Sequence, residues 1–138
     1  MRRPRALDRL SSVRPMSTWD DVRRLALALP ETAERLAYGS PFWTVKGKGF
    51  VWERPLRQSD LREVGDQGQV LAAYVGDEGA KQALLADQPD VFFTTSHFDG
   101  HPSVLVRLER ISEQDLEELV TEAWLARAPK RLAQQLQV

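Results

Sequence analysis

The hydrophobic period changes twice along this chain, and that change restricts the fold more than any other feature. Val22, Leu25, Ala26 and Leu29 recur at the three- and four-residue spacing of a helix. Near the other end, Leu116, Leu119, Val120, Ala123 and Trp124 repeat the pattern as one broad apolar face. Between them the apolar residues come in short β-branched and aromatic runs: Phe42-Trp43-Thr44-Val45, Phe50-Val51-Trp52-Glu53, Val70 to Val75, Val91 to Thr95 and Val104 to Leu108. Helices at both ends of a strand-rich middle predict an α+β domain, an antiparallel β-sheet backed by N- and C-terminal helices.

Local signals place the elements. Thr18 with Asp21 three residues later reads as a capping box opening the first helix, which Pro30 and Glu31 end. Glu34 to Tyr38 reads as a short strand stopped by Gly39-Ser40-Pro41. Lys46-Gly47-Lys48-Gly49 joins two aromatic runs and predicts a β-hairpin with a four-residue link. Residues 54–69, with Pro55, Gly65 and Gly68, read as an exposed loop. Gly76-Asp77 introduces a helix from Glu78 to Asp87, and a second hairpin turns around Phe98-Asp99-Gly100. Ser112 begins the long C-terminal helix, and Pro129 suits the first turn of a last one carrying Leu132, Ala133 and Leu136.

Charge divides the chain unevenly. Residues 1–15 hold five arginines and one aspartate, a net +4, while the whole chain is −1, which leaves −5 for residues 16–138. We read residues 1–15 as a basic leader without packed structure, and residues 16–138 as one domain. The leader lacks the continuous apolar stretch of a secretory signal. Met16 stands directly before a helix start, which favours an upstream start codon over a nucleic-acid-binding arm. The chain has no cysteine, so thiolate metal sites and disulfides are excluded, in keeping with a cytoplasmic protein. No apolar run reaches the roughly 18–20 residues of a membrane helix.

Several segments resemble the MmcQ/YjbR family of small bacterial proteins. They are Leu27-Ala28-Leu29-Pro30-Glu31, Pro41 to Phe50, Thr95-Ser96-His97-Phe98-Asp99-Gly100, and Glu122 to Leu132. The resemblance implies a CyaY-like (frataxin-like) fold with two protruding β-hairpins, and a DNA-binding role through those hairpins as wings. Position 101 is His, where an aromatic such as Tyr is usual in that family.

The candidate contacts are cations near turns and helix ends. Lys46 and Lys48 on the first wing suit phosphate neutralisation, against the plainer reading of an exposed hairpin turn. On the second wing a three-residue loop would set His97 opposite His101. His97 is a candidate ligand or phosphate contact, with a hydrogen-bonded structural histidine as the favoured alternative. Two histidines fall short of a metal site, which takes three or four ligands, so no metal and no cofactor is expected. Lys130 and Arg131 sit in the first turn of a helix, where cations oppose the dipole, and suggest an anion site that Arg107 would extend. Trp43, Trp52, Phe92 and Phe93 read as core rather than as a base-stacking surface.

No glycine-rich phosphate loop, nucleophile elbow or paired-carboxylate motif appears, so no catalytic residue is assigned. The expected partner is DNA, bound weakly through its phosphate backbone by Lys46, Lys48, His97, Arg107, Lys130 and Arg131. The acidic body weakens long-range attraction to a polyanion. The alternative is a non-catalytic module for a small molecule, a metal or a protein, with the Glu113–Glu122 face as its metal candidate. A monomer or small homo-oligomer is expected, with no membrane association.

Overall fold

The computed structural model describes residues 16–137, so the expectation for the basic leader lies outside the described residues. Helix α1 (Trp19–Leu27) starts at the expected box: Thr18 Oγ1 accepts from the Asp21 N–H, and the Asp21 carboxylate accepts from the Thr18 N–H. Strands β1 (Thr32–Ala37), β2 (Ser40–Val45) and β3 (Lys48–Glu53) then form an antiparallel meander. Its turns are Tyr38-Gly39 and Lys46-Gly47, with φ of 53° and 83° in the first and 50° and 83° in the second. Two successive positive φ values define the tight turn whose twist matches a hairpin. The four-residue link therefore shrinks to two, and Lys48 and Gly49 pair with Val45 and Thr44.

Residues 54–69 are not all loop. Helix α2 (Gln58–Val64) forms there, held at its start by Asp60, whose carboxylate accepts from the Arg57 N–H at 2.9 Å and pairs with Arg54 at 3.2 Å. Leu61 and Val64 alone are too sparse to show a period in seven residues. Strand β4 (Val70–Tyr74), helix α3 (Glu78–Asp87, capped by Asp77) and strands β5 (Phe92–Phe93) and β6 (Ser103–Arg107) complete the middle of the chain. Helices α4 (Glu113–Arg127, capped by Ser112) and α5 (Lys130–Gln137) close it. The sheet runs β1-β2-β3-β4-β6-β5 with every neighbour antiparallel. The α+β class, the antiparallel sheet and its terminal helices are as the periodicity predicts.

The two faces of this sheet differ. One is covered along its length: Trp43, Val51, Leu71, Ala73, Val104 and Val106 pack under Val22 and Ala26 of α1 and Leu116, Val120, Ala123 and Trp124 of α4. The opposite face is covered only over β4, β6 and β5, where Phe98, Leu56 and Val64 close over Val70, Ala72, Leu105 and Phe93. Its β1–β3 half carries Arg35, Phe42 and Trp52, none of them buried. Among the described residues no helix is long and apolar enough to cross a membrane.

Candidate nucleic-acid interface

Of the sequence candidates, the first wing is a true hairpin tip. Lys46 is exposed, its ammonium 3.5 Å from Glu31, so its charge is partly answered within the molecule. Lys48 is exposed and makes no ion pair among the described residues. Gly49 has a packing reason rather than a ligand one. A Cβ there would lie 2.2 Å from the Phe42 ring, so the ring rests on bare backbone.

The second wing is not a three-residue turn. Between Phe93 and Ser103 the chain makes a 3₁₀ turn (Ser96–Phe98) and folds back on the sheet, burying Phe98. His97 and His101 do not face each other across a ladder. Their rings meet the Phe98 ring edge-on from centroid distances of 5.3 and 5.4 Å. Among the described residues no group of three or more His, Asp or Glu is placed to hold a metal ion. The link is tied down by Lys81 of α3, which is 1% exposed and donates to the carbonyls of Phe98 (2.6 Å) and His101 (2.9 Å). No ion pair to Lys81 exists among the described residues, so a buried cation is held by carbonyl dipoles alone. Sequence reasoning passed over it, although Lys81 stands one turn before Leu84 and Leu85 on the apolar stripe of α3.

Arg107 and the Lys130-Arg131 pair do not join. Arg107 pairs in register with Val70, while Arg127, just before Lys130, stacks 4.2 Å above Tyr74 at the other end of β4. Five strand residues separate those ends, about 13 Å. The Arg107 guanidinium is also engaged, donating to Gln67 and to the Pro89 carbonyl and lying 4.6 Å over the Phe93 ring. Burial, with Arg110 nearby, lowers its proton affinity. Lys130 and Arg131 are exposed on the first turn of α5, which Leu132 anchors to the core. Because Val51 pairs with Ala73, the start of β3 and the end of β4 share one end of the sheet. Lys48 and Arg127 therefore lie at that end, and Lys130 and Arg131 follow Arg127 by three and four residues.

The open half-face adds Arg35 and Phe42, which the sequence did not mark as candidates, and exposes part of Trp52, which it read as core. Arg35, Phe42, Trp52 and Ala72 stand in one row across four strands. Arg35 lies 4.7 Å over the Phe42 ring, and Phe42 stacks on Trp52 at 5.3 Å. Trp43, Phe92 and Phe93 are core, as their spacing predicts, but Trp52 is only half-buried. Two adjoining hollows share Phe42, Trp52 and His101. One of about 460 Å³ runs toward Tyr38, Arg54 and Arg57, and one of about 370 Å³ toward Tyr74 and Arg127. Burial, and then the charges of Lys81, His97 and Arg127, hold His101 below the ordinary imidazole value. His101 is thus neutral at pH 7, able to donate and accept hydrogen bonds.

The architecture is that of a small α+β domain with one helix-covered sheet face and a half-open second face rimmed by cations. Residues 27–126 match the YjbR family, and the chain belongs to it. It is 53% identical over 125 residues to the uncharacterized proteins Rv2570 of Mycobacterium tuberculosis and Mb2600 of Mycobacterium bovis, covering 86% of this chain and 95% of each relative. Its fold is similar to the crystal structure of DR2400 from Deinococcus radiodurans, a DUF419 domain. That match has a TM-score of 0.60 and 20% identity, and spans 82% of this chain and 80% of the other.

Proposed function

We propose that this protein binds DNA through the phosphate backbone, without catalysing a reaction on it. The observation that carries this reading is that Lys48, at the end of the sheet where Arg127 packs on Tyr74, and Lys130 and Arg131, three and four residues after Arg127, are exposed and have no carboxylate partner among the described residues. Exposed, flexible cations neutralise phosphates without reading sequence, so binding is weak, non-specific and salt-dependent. Lys46 contributes less because Glu31 competes for it. His97 borders the open face rather than this end, and Arg107 is committed elsewhere.

Fluorescence anisotropy of a labelled duplex tests the reading. Lys48→Gln/Lys130→Gln/Arg131→Gln should lower the slope of log affinity against log salt by about 3 and weaken binding at low salt. Binding that is absent at low salt, or unchanged in the triple variant, would overturn it.

A further inference from the structure

The smaller hollow is built unlike the rest of this acidic domain. Its walls are Phe42, Gly49, Trp52, Tyr74, His101, Pro102 and Arg127, with no carboxylate among them. The Arg127 guanidinium carbon lies 4.2 Å from the Tyr74 ring centroid, and its Nε is buried with no hydrogen-bond partner among the described residues. A buried guanidinium N–H without an acceptor is costly, and Arg127 is a wall of this hollow, so an anion seated there would meet a guanidinium that no carboxylate answers among the described residues. Lys81 donates to the carbonyl of His101, another wall residue, and makes no ion pair among the described residues. Arg127 and Lys81 both act on His101 at the rim. One cation thus lines, and a second is bonded to a wall residue of, a space of about 370 Å³, at the lower end of the usual range of small-molecule pockets.

The rest of the wall is aromatic. Phe42 and Trp52 are already stacked on each other, and Tyr74 is held by Arg127. Flat apolar walls beside an anion site match a ligand with a planar ring joined to a phosphate. A bare inorganic ion would leave the aromatic walls unused, and a purely aromatic ligand would leave the Arg127 guanidinium without a counter-charge. We infer that this pocket binds a nucleoside monophosphate, with the phosphate on Arg127 and His101 and the base against the Phe42–Trp52 wall. The pocket excludes the three cations assigned to duplex DNA, so the inference does not rest on that reading.

The test is a ¹H–¹⁵N NMR titration of the full chain with adenosine monophosphate, adenosine and inorganic phosphate in separate arms. Adenosine monophosphate should shift the Trp52 indole and the Gly49, Tyr74 and His101 amides, and bind at least about tenfold tighter than either fragment. Arg127→Gln should lose about tenfold or more of that affinity, the usual scale of a charge-assisted hydrogen bond, and Arg127→Lys should recover part of it. His101→Phe keeps a ring at the rim and should weaken the phosphate contribution alone. Phosphate binding as tightly as the nucleotide, or shifts that bypass the pocket, would overturn the proposal, as would an unaltered affinity in both the Arg127→Gln and His101→Phe variants. A duplex that fails to bind while the nucleotide does would remove the DNA reading and leave the pocket standing. A duplex that binds while the nucleotide leaves the pocket unshifted would do the reverse.

Discussion

The turn between β2 and β3 and the link between β5 and β6 carry the same local signal, a glycine between two apolar strands, and they fold differently. At Lys46-Gly47 two residues with positive φ reverse the chain, and the strands pair up to the turn. In the other, only Phe92 and Phe93 pair with β6, and the link from 94 to 102 holds a 3₁₀ turn at Ser96–Phe98 with Phe98 buried against the sheet. The first is held by its own backbone. The second is held by Phe98 buried beneath it and by Lys81 reaching in from α3. A short turn can be local because its hydrogen bonds lie within the hairpin. A nine-residue link must find partners for its carbonyls elsewhere.

Removing the long-range anchors should hurt most. Phe98→Ala deletes a buried aromatic ring that covers Leu105 and Ala72, and should cost roughly 3–5 kcal/mol in urea unfolding. Amide exchange should rise in residues 94–102 while the Lys46-Gly47 hairpin keeps its protection. If both regions loosen equally, the two are one cooperative unit and the contrast is broken.

A smaller effect belongs to the local turn. Gly47→Ala places a side chain at φ 83° with open space around it, so strain of about 1–2 kcal/mol is the whole cost. Its chemical shift changes should stay within β2 and β3. Changes reaching His97 or His101 would show that the two regions are coupled across the open face.

The smallest effect is set by pH. His101 has a lowered proton affinity in the native state, through burial first and then Lys81, His97 and Arg127. On acidification the unfolded chain takes up its proton first, near the ordinary imidazole value, so stability falls as pH drops below about 6.5. His101→Phe should flatten that part of a Tm-against-pH curve. The β2–β3 turn contains no histidine, and its amide shifts should stay constant over the same interval.

Sequence by itself determined the class of fold. The stripes after Thr18 and Ser112, the glycine at position 47 and the alternating aromatic runs are local codes, each satisfied by residues within a turn or a strand of one another. Helix α2 escaped because Asp60 and Arg54 stabilise it through side-chain contacts that leave no periodicity. The candidate site was legible only in part. Lys46, Lys48, Lys130 and Arg131 are exposed as their polar settings predict, whereas Arg107 is spent on Gln67 and Phe93, forty and fourteen positions away. Tertiary structure alone decided that Phe42, Trp52, Tyr74, His101 and Arg127 share one hollow, and that Lys81 donates to the His101 carbonyl with no ion pair among the described residues. Those six groups come from six different segments of the chain. What joins them is strand register and the seating of α3 and α4, and neither is written in any one segment.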